Sequence, residues 1–109
     1  MQIDYTLVDK DFLNIQLTQR LEAVQNICNS QIIITDGFRT REQELKLGGT
    51  GNGAHTKGLA VDIRCRDSQT RFNIIRALIL YGFSRIGDEI DHIHTDIDKT
   101  LPLNVLFRV

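Results

Sequence analysis

Two stretches of sequence decide how this chain folds: A-H-T-K-G-L-A-V-D at residues 54–62 and D-H-I-H-T-D at residues 91–96. Both stretches combine strand-like alternation with side chains that bind metal ions. His55 and Asp62 come from the first stretch, and a histidine of the second can join them. Two histidines and one carboxylate make three ligands, and zinc with three protein ligands keeps one tetrahedral position open for water. The sequence therefore predicts a catalytic rather than a structural metal site.

Strand periodicity sorts the side chains of these stretches. We predict strands at residues 59–65 and near residues 92–97. Successive side chains of a strand point to opposite faces of the sheet. The apolar faces, which should cover helices, carry Val61, Ile63, Ile93 and Ile97. The polar faces carry Asp62, His92, His94 and Asp96, and either histidine can supply the third ligand.

The rest of the chain predicts helices packed on a small sheet. Helical spacing of apolar residues indicates helices at 9–29, with Asp9 as N-cap, at 41–47, with Thr40 as cap, and from Asp67 or Ser68 to near Gly82. Further short strands are expected at residues 31–35 and 85–87. Five glycines between residues 48 and 58 predict a loop. The apolar tail, residues 101–109, fits a strand or irregular packing equally well.

Element order and length favour one fold class. Helices and strands alternate with short connections, which predicts an α+β fold with a mainly antiparallel sheet. The 109 residues have the length of one compact domain, and we expect a single domain over residues 1–109. Cys28 and Cys65 fit no metal spacing and are expected to be buried free thiols.

Charge and hydropathy exclude several function classes. The net charge is −1, so electrostatic capture of nucleic acid or of an anionic membrane is not expected. No apolar run is long enough to cross a bilayer. The first residues lack the basic and apolar regions of a secretory signal, which predicts synthesis in the cytoplasm without a signal peptide.

An ordered set of motifs resembles a known family. D-G-F-R-T begins at Asp36, G-G follows at Gly48, and the two stretches at residues 54–62 and 91–96 complete the set. This order resembles the zinc D-alanyl-D-alanine carboxypeptidase family, which includes phage L-alanyl-D-glutamate endolysins and has the Hedgehog/DD-peptidase fold. The matching region spans well over half of the chain.

The resemblance implies a role for each polar residue of the motifs. His55 and Asp62 are the first two zinc ligands, and His94 is the third. Asp91 takes the position of the general base, three residues before that third ligand. Arg39 matches the arginine that holds the substrate carbonyl oxygen or carboxylate. His92 matches the first histidine of H-x-H, a group that either orients a metal ligand or supports the transition state.

Two functions from different classes follow. The first is a zinc metallopeptidase that cuts peptidoglycan stem peptides at D-Ala-D-Ala or L-Ala-D-Glu bonds. We expect it to be a monomer of phage or prophage origin, released by a holin or delivered by a phage particle. The alternative is a non-catalytic peptide- or protein-binding module on the same fold. The presence of Asp91 and Arg39 favours the enzyme, and the lack of a basic surface disfavours a metal nuclease.

Overall fold

A computed structural model describes residues 1–108 as three helices and a five-stranded sheet. The helices are α1 (Ile15–Ile27), α2 (Arg41–Lys46) and α3 (Ser68–Leu80). The strands are β1 (Ile34–Asp36), β2 (Ala60–Arg64), β3 (Arg85–Asp88), β4 (His92–Asp96) and β5 (Val105–Arg108). Short 3₁₀ turns lie at Lys10–Phe12 and Ala54–Lys57. The predicted α+β class is confirmed.

The sheet is mainly antiparallel, as predicted. Its strand order is β1-β2-β4-β3-β5. The pairs β1–β2, β2–β4 and β3–β4 are antiparallel, whereas β5 runs parallel to β3. The tail, for which the sequence left two alternatives, therefore adds an edge strand, and Val109 lies outside the described residues. In the central ladder, Asp62 pairs directly with His94.

One hydrophobic cluster joins the two long helices to the sheet. From α1 and α3 it receives Leu17, Leu21, Val24, Ile74 and Leu78. Val61, Ile63 and Ile93 of the central strands are fully buried in it, and Ile97 packs at its margin. Cys28 and Cys65 are buried free thiols, as predicted. Because the apolar side chains fill this face, Asp62 and His94 must lie on the opposite one.

Local capping explains where the helices begin. The predicted Asp9 cap of the first helix is wrong for α1: Asp9 accepts a hydrogen bond from the Asp11 backbone and begins only the 3₁₀ turn. Leu13 then adopts an extended conformation, and Asn14 caps α1. The predicted cap of α2 is confirmed, because Thr40 forms a capping box there. Asp67 caps α3.

The glycine-rich loop contains a short turn that carries His55. The turn Ala54–Lys57 ends at Gly58, whose φ of 70° is left-handed. The Gly58 carbonyl accepts a hydrogen bond of 2.9 Å from the Asn14 backbone, and the His55 carbonyl accepts one of 3.2 Å from the Arg39 backbone. These bonds hold the loop against the start of α1 and the end of β1, so His55 is fixed beside the sheet.

Within residues 1–108, no helix combines the length and the apolarity that a membrane span requires.

Gly58 should be far less tolerant of a side chain than Gly82. Both glycines are left-handed, at φ 70° and 81°, which costs an alanine about 1–2 kcal/mol. A Cβ on Gly58 would lie 2.6 Å from the Phe12 carbonyl oxygen, whereas one on Gly82 would meet no described atom within 4 Å. We expect Gly58→Ala to lower the free energy of unfolding by about 1–3 kcal/mol more than Gly82→Ala does.

Urea denaturation of both variants and of the wild type measures the difference. Equal losses for the two variants would contradict the proposed packing of the His55 turn against Phe12.

Candidate metal centre

Three different elements bring His55, Asp62 and His94 to one point. His55 lies in the 3₁₀ turn, while Asp62 and His94 are paired across β2 and β4. The Asp62 Oδ1 atom is 3.4 Å from His55 Nε2 and 3.1 Å from His94 Nδ1. One ligand atom from each of the three lies within 4.8 Å of the others. His55 and Asp62 are buried and the His94 side chain is 15% exposed, so solvent reaches the cluster at His94.

The remaining nitrogen of each histidine is hydrogen-bonded within the protein. His55 Nδ1 lies 2.7 Å from the Gly37 carbonyl oxygen, and His94 Nε2 lies 2.7 Å from Asp96 Oδ2. Because a carbonyl oxygen can only accept, His55 Nδ1 carries a proton, and in the neutral ring the lone pair available to a metal ion is therefore on Nε2. Carbonyl and carboxylate partners of this kind orient the histidines of metal sites. The donor set therefore fits a zinc ion held by His55 Nε2, Asp62 and His94 Nδ1.

The electrostatics of the cluster also suit a cation. Burial alone would raise the pKa of Asp62, but hydrogen bonds from His55 and His94 hold that pKa well below its usual range. Burial alone would lower the pKa of His94, but hydrogen bonds to Asp62 and Asp96 raise it to about 9. Asp62 and Asp96 therefore stabilise positive charge at His94, and a divalent cation on Nδ1 can take the place of that proton.

Arg39 lies beside the cluster and is held by a carboxylate that the sequence analysis missed. Its Nε donates a hydrogen bond of 2.7 Å to Asp36 Oδ2, and its Nη2 contacts the same oxygen. The Nη2 atom is also 3.6 Å from Asp62 Oδ2. Arg39 thus reaches the side of Asp62 that faces away from His55 and His94. The spacing of Asp36 and Arg39 in D-G-F-R was the signal available in the sequence.

His92 lies on the same side of Asp62 as Arg39 does. Its Nε2 is 3.7 Å from Asp62 Oδ2 and contacts Glu89, while its Nδ1 is 2.7 Å from Asp91 Oδ1. Burial alone would lower the pKa of His92, but the hydrogen bond to Asp91 and the nearby carboxylates raise it. The structure thus places His92 beside the cluster. His92 lies next to Oδ2 of Asp62, whereas His94 lies next to Oδ1.

The two carboxylates around His92 differ in position. Asp91 lies at the tip of the β3–β4 hairpin with 77% of its side chain exposed, and its hydrogen bond to His92 lowers its pKa. Glu89, which the sequence analysis missed, is only 21% exposed and contacts the His92 nitrogen that faces Asp62. The sequence does not show the register of the hairpin. In the structure this register places the Glu89 backbone N–H against the His92 carbonyl.

An α+β fold that brings two histidines and one carboxylate together supplies the three protein ligands of a catalytic zinc ion, which would keep a fourth position for water, and this is the build of a metal-dependent hydrolase. A family model described as Peptidase M15 matches residues 2–96, and the chain belongs to the peptidase M15 family. The resemblance to zinc metallopeptidases is thereby confirmed at the level of the family, whose members depend on zinc. A comparison with curated proteins gives no match.

The raised pKa of His94 predicts a pH-dependent stability of the metal-free protein. A folded-state pKa of about 9 against 6.5 for an unperturbed histidine stabilises the fold fully below pH 6.5. That stabilisation is lost as the pH rises through about 9. We expect metal-free wild type to lose of the order of 2–3 kcal/mol of unfolding free energy between pH 6 and 9.5 through this group.

Denaturation curves across this pH range, recorded in chelator, test the expectation. His94→Gln supplies the control, because it keeps every other titrating group. If the variant and the wild type lose stability in parallel, His94 is not held in its charged form by Asp62 and Asp96.

Proposed function

We propose that the protein is a zinc metallopeptidase that hydrolyses peptide bonds in peptidoglycan stem peptides. The bond is of the D-Ala-D-Ala carboxypeptidase or the L-Ala-D-Glu endopeptidase type, and the proposed origin is a phage or prophage. The convergence of His55 and His94 on one oxygen of Asp62 carries the proposal. Membership of the M15 family supports the peptidase class, and the motif resemblance supports the choice of substrate.

The residues around the cluster can divide the chemistry of peptide hydrolysis among them. Zinc held by His55, Asp62 and His94 would lower the pKa of a coordinated water and polarise the scissile carbonyl. The Arg39 guanidinium lies next to Asp62, where it can stabilise negative charge that develops on the carbonyl oxygen. A carboxylate beside His92 can accept a proton from the attacking water and pass it to the leaving amine. The motif resemblance predicts Asp91 for this last role, and Glu89 is the other carboxylate that contacts His92.

A groove next to Arg39 supports a peptide as the substrate. It has a volume of about 360 Å³ and is lined by Asp36, Phe38, Arg39, Gln43, Lys46 and Leu47. Phe38 and Leu47 offer apolar surface, and Lys46 offers a positive charge to a carboxylate. Stem peptides combine small apolar side chains with free carboxylates. The groove and the metal ligands all belong to one chain, so the proposal requires no second subunit.

Mass spectrometry of peptidoglycan fragments tests the substrate. Purified muropeptides incubated with zinc-loaded protein should release D-alanine or be cut between L-alanine and D-glutamate. His94→Ala, treated identically, is the control for contaminating hydrolases. Muropeptides that bind the zinc-loaded protein but stay intact would instead support the non-catalytic binding module.

Metal analysis separates the roles of the two histidines of H-x-H. We expect wild type to hold about one zinc per chain, and His94→Ala to lose it because a ligand is removed. His92→Ala should keep zinc but hydrolyse muropeptides about 100-fold or more slowly, since it removes a group beside the reacting atoms.

Inductively coupled plasma mass spectrometry of dialysed protein gives the stoichiometry. Loss of zinc from His92→Ala and retention by His94→Ala would exchange the two assignments.

A further inference from the structure

The β3–β4 hairpin places two carboxylates on opposite edges of the His92 ring. Its Glu89 backbone N–H donates a hydrogen bond of 3.1 Å to the His92 carbonyl, so only Ile90 and Asp91 form the tip. Ile90 is 94% exposed, which shows that the tip projects into solvent. Glu89 contacts Nε2 of the ring and Asp91 contacts Nδ1. The two acids therefore occupy different surroundings although only one residue separates them.

Only the Glu89 edge of the ring faces the metal ligands. His92 Nε2, which Glu89 contacts, is also 3.7 Å from Asp62 Oδ2. One carboxylate oxygen each of Asp62 and Glu89 and a ring nitrogen of His92 all lie within 4.8 Å of one another. Asp91 binds the other edge of the ring. Glu89 is thus the less exposed acid and the one that contacts the ring nitrogen facing Asp62.

We propose that Glu89 is the catalytic carboxylate of this site. The inference rests on the proposed peptidase function and departs from the motif, which expects the carboxylate three residues before His94 rather than five. Glu89 accepts a proton from the attacking water as the water oxygen bonds to the scissile carbonyl carbon. As the C–N bond breaks, Glu89 passes this proton to the leaving nitrogen, and the second water proton is released with the new carboxyl group.

The same atoms could in principle hold a second cation, but the charges around them favour a proton acceptor. The Arg39 guanidinium lies 3.6 Å from Asp62 Oδ2, the oxygen that a second cation would share with Glu89 and His92. A divalent ion there would be repelled by the fixed charge of Arg39 at short range. Zinc stoichiometry distinguishes the two roles directly.

The decisive comparison is between Glu89→Gln and Asp91→Asn, which remove one charge each at nearly constant shape. Both variants should keep one zinc per chain with affinity within about threefold of wild type, since neither is a ligand. Glu89→Gln should lower muropeptide hydrolysis about 100-fold or more, whereas Asp91→Asn should lower it less than about tenfold.

A binding measurement makes the test independent of the substrate. Acetohydroxamate is a weak acid that binds catalytic zinc and shares its proton with an adjacent carboxylate. Loss of that charge-assisted hydrogen bond should weaken acetohydroxamate about tenfold in zinc-loaded Glu89→Gln and leave Asp91→Asn unchanged. Glu89→Ala is a second variant, and unfolding curves of all three show whether the hairpin is intact.

Each other outcome has a definite meaning. If Asp91→Asn loses hydrolysis and acetohydroxamate affinity while Glu89→Gln keeps both, the motif position is right and Glu89 is not the base. Two zinc ions in wild type and one in Glu89→Gln would make Glu89 a metal ligand instead. If wild type cuts no muropeptide, the proposed function fails, yet the acetohydroxamate affinities still decide the position of Glu89.

Discussion

The buried carboxylate of Asp62 is the constraint on which the rest of the site depends. A carboxylate taken out of water must be compensated by charge or hydrogen bonds. Asp62 obtains this compensation from His55 and His94 at one oxygen and from Arg39 and His92 at the other. Three other segments of the chain, which carry Arg39, His55 and the histidines of β4, must therefore come together around this side chain. Zinc at the first oxygen would compensate this charge more strongly than two histidines can, so zinc binding would also stabilise the fold.

The part of the site that rests on strand alternation was predictable from sequence. Val61 and Ile63 could only be buried against helices, and this placed Asp62 on the opposite face together with His94. The motif order added His55 and Arg39 to the same region. The sequence did not predict which strands pair or in which register, because register depends on packing between distant segments.

The residues that sequence reasoning missed act through tertiary contacts. Asp36 looked like the end of a strand, yet it is the ion-pair partner of Arg39. Glu89 lies outside the motif and drew no prediction, and only the two-residue tip of the hairpin brings it to His92. The first helix was misjudged for a similar reason: Asp9 has the chemistry of an N-cap, but the extended conformation of Leu13 moves that role to Asn14.

The candidate metal ligands and the carboxylates beside His92 are held in different ways. Asp62 and His94 lie mid-strand in the central ladder, and Asp96 fixes the far nitrogen of His94 while accepting a 2.8 Å hydrogen bond from Arg85. Asp91, in contrast, has a side chain that is 77% exposed at the hairpin tip, although its backbone carbonyl accepts a 2.9 Å hydrogen bond from the Cys65 N–H. Metal ligands must keep fixed distances and angles, whereas a proton acceptor must move with the attacking water. Glu89 has a longer and less exposed side chain than Asp91, so it can stay beside His92 and Asp62 while it follows that water.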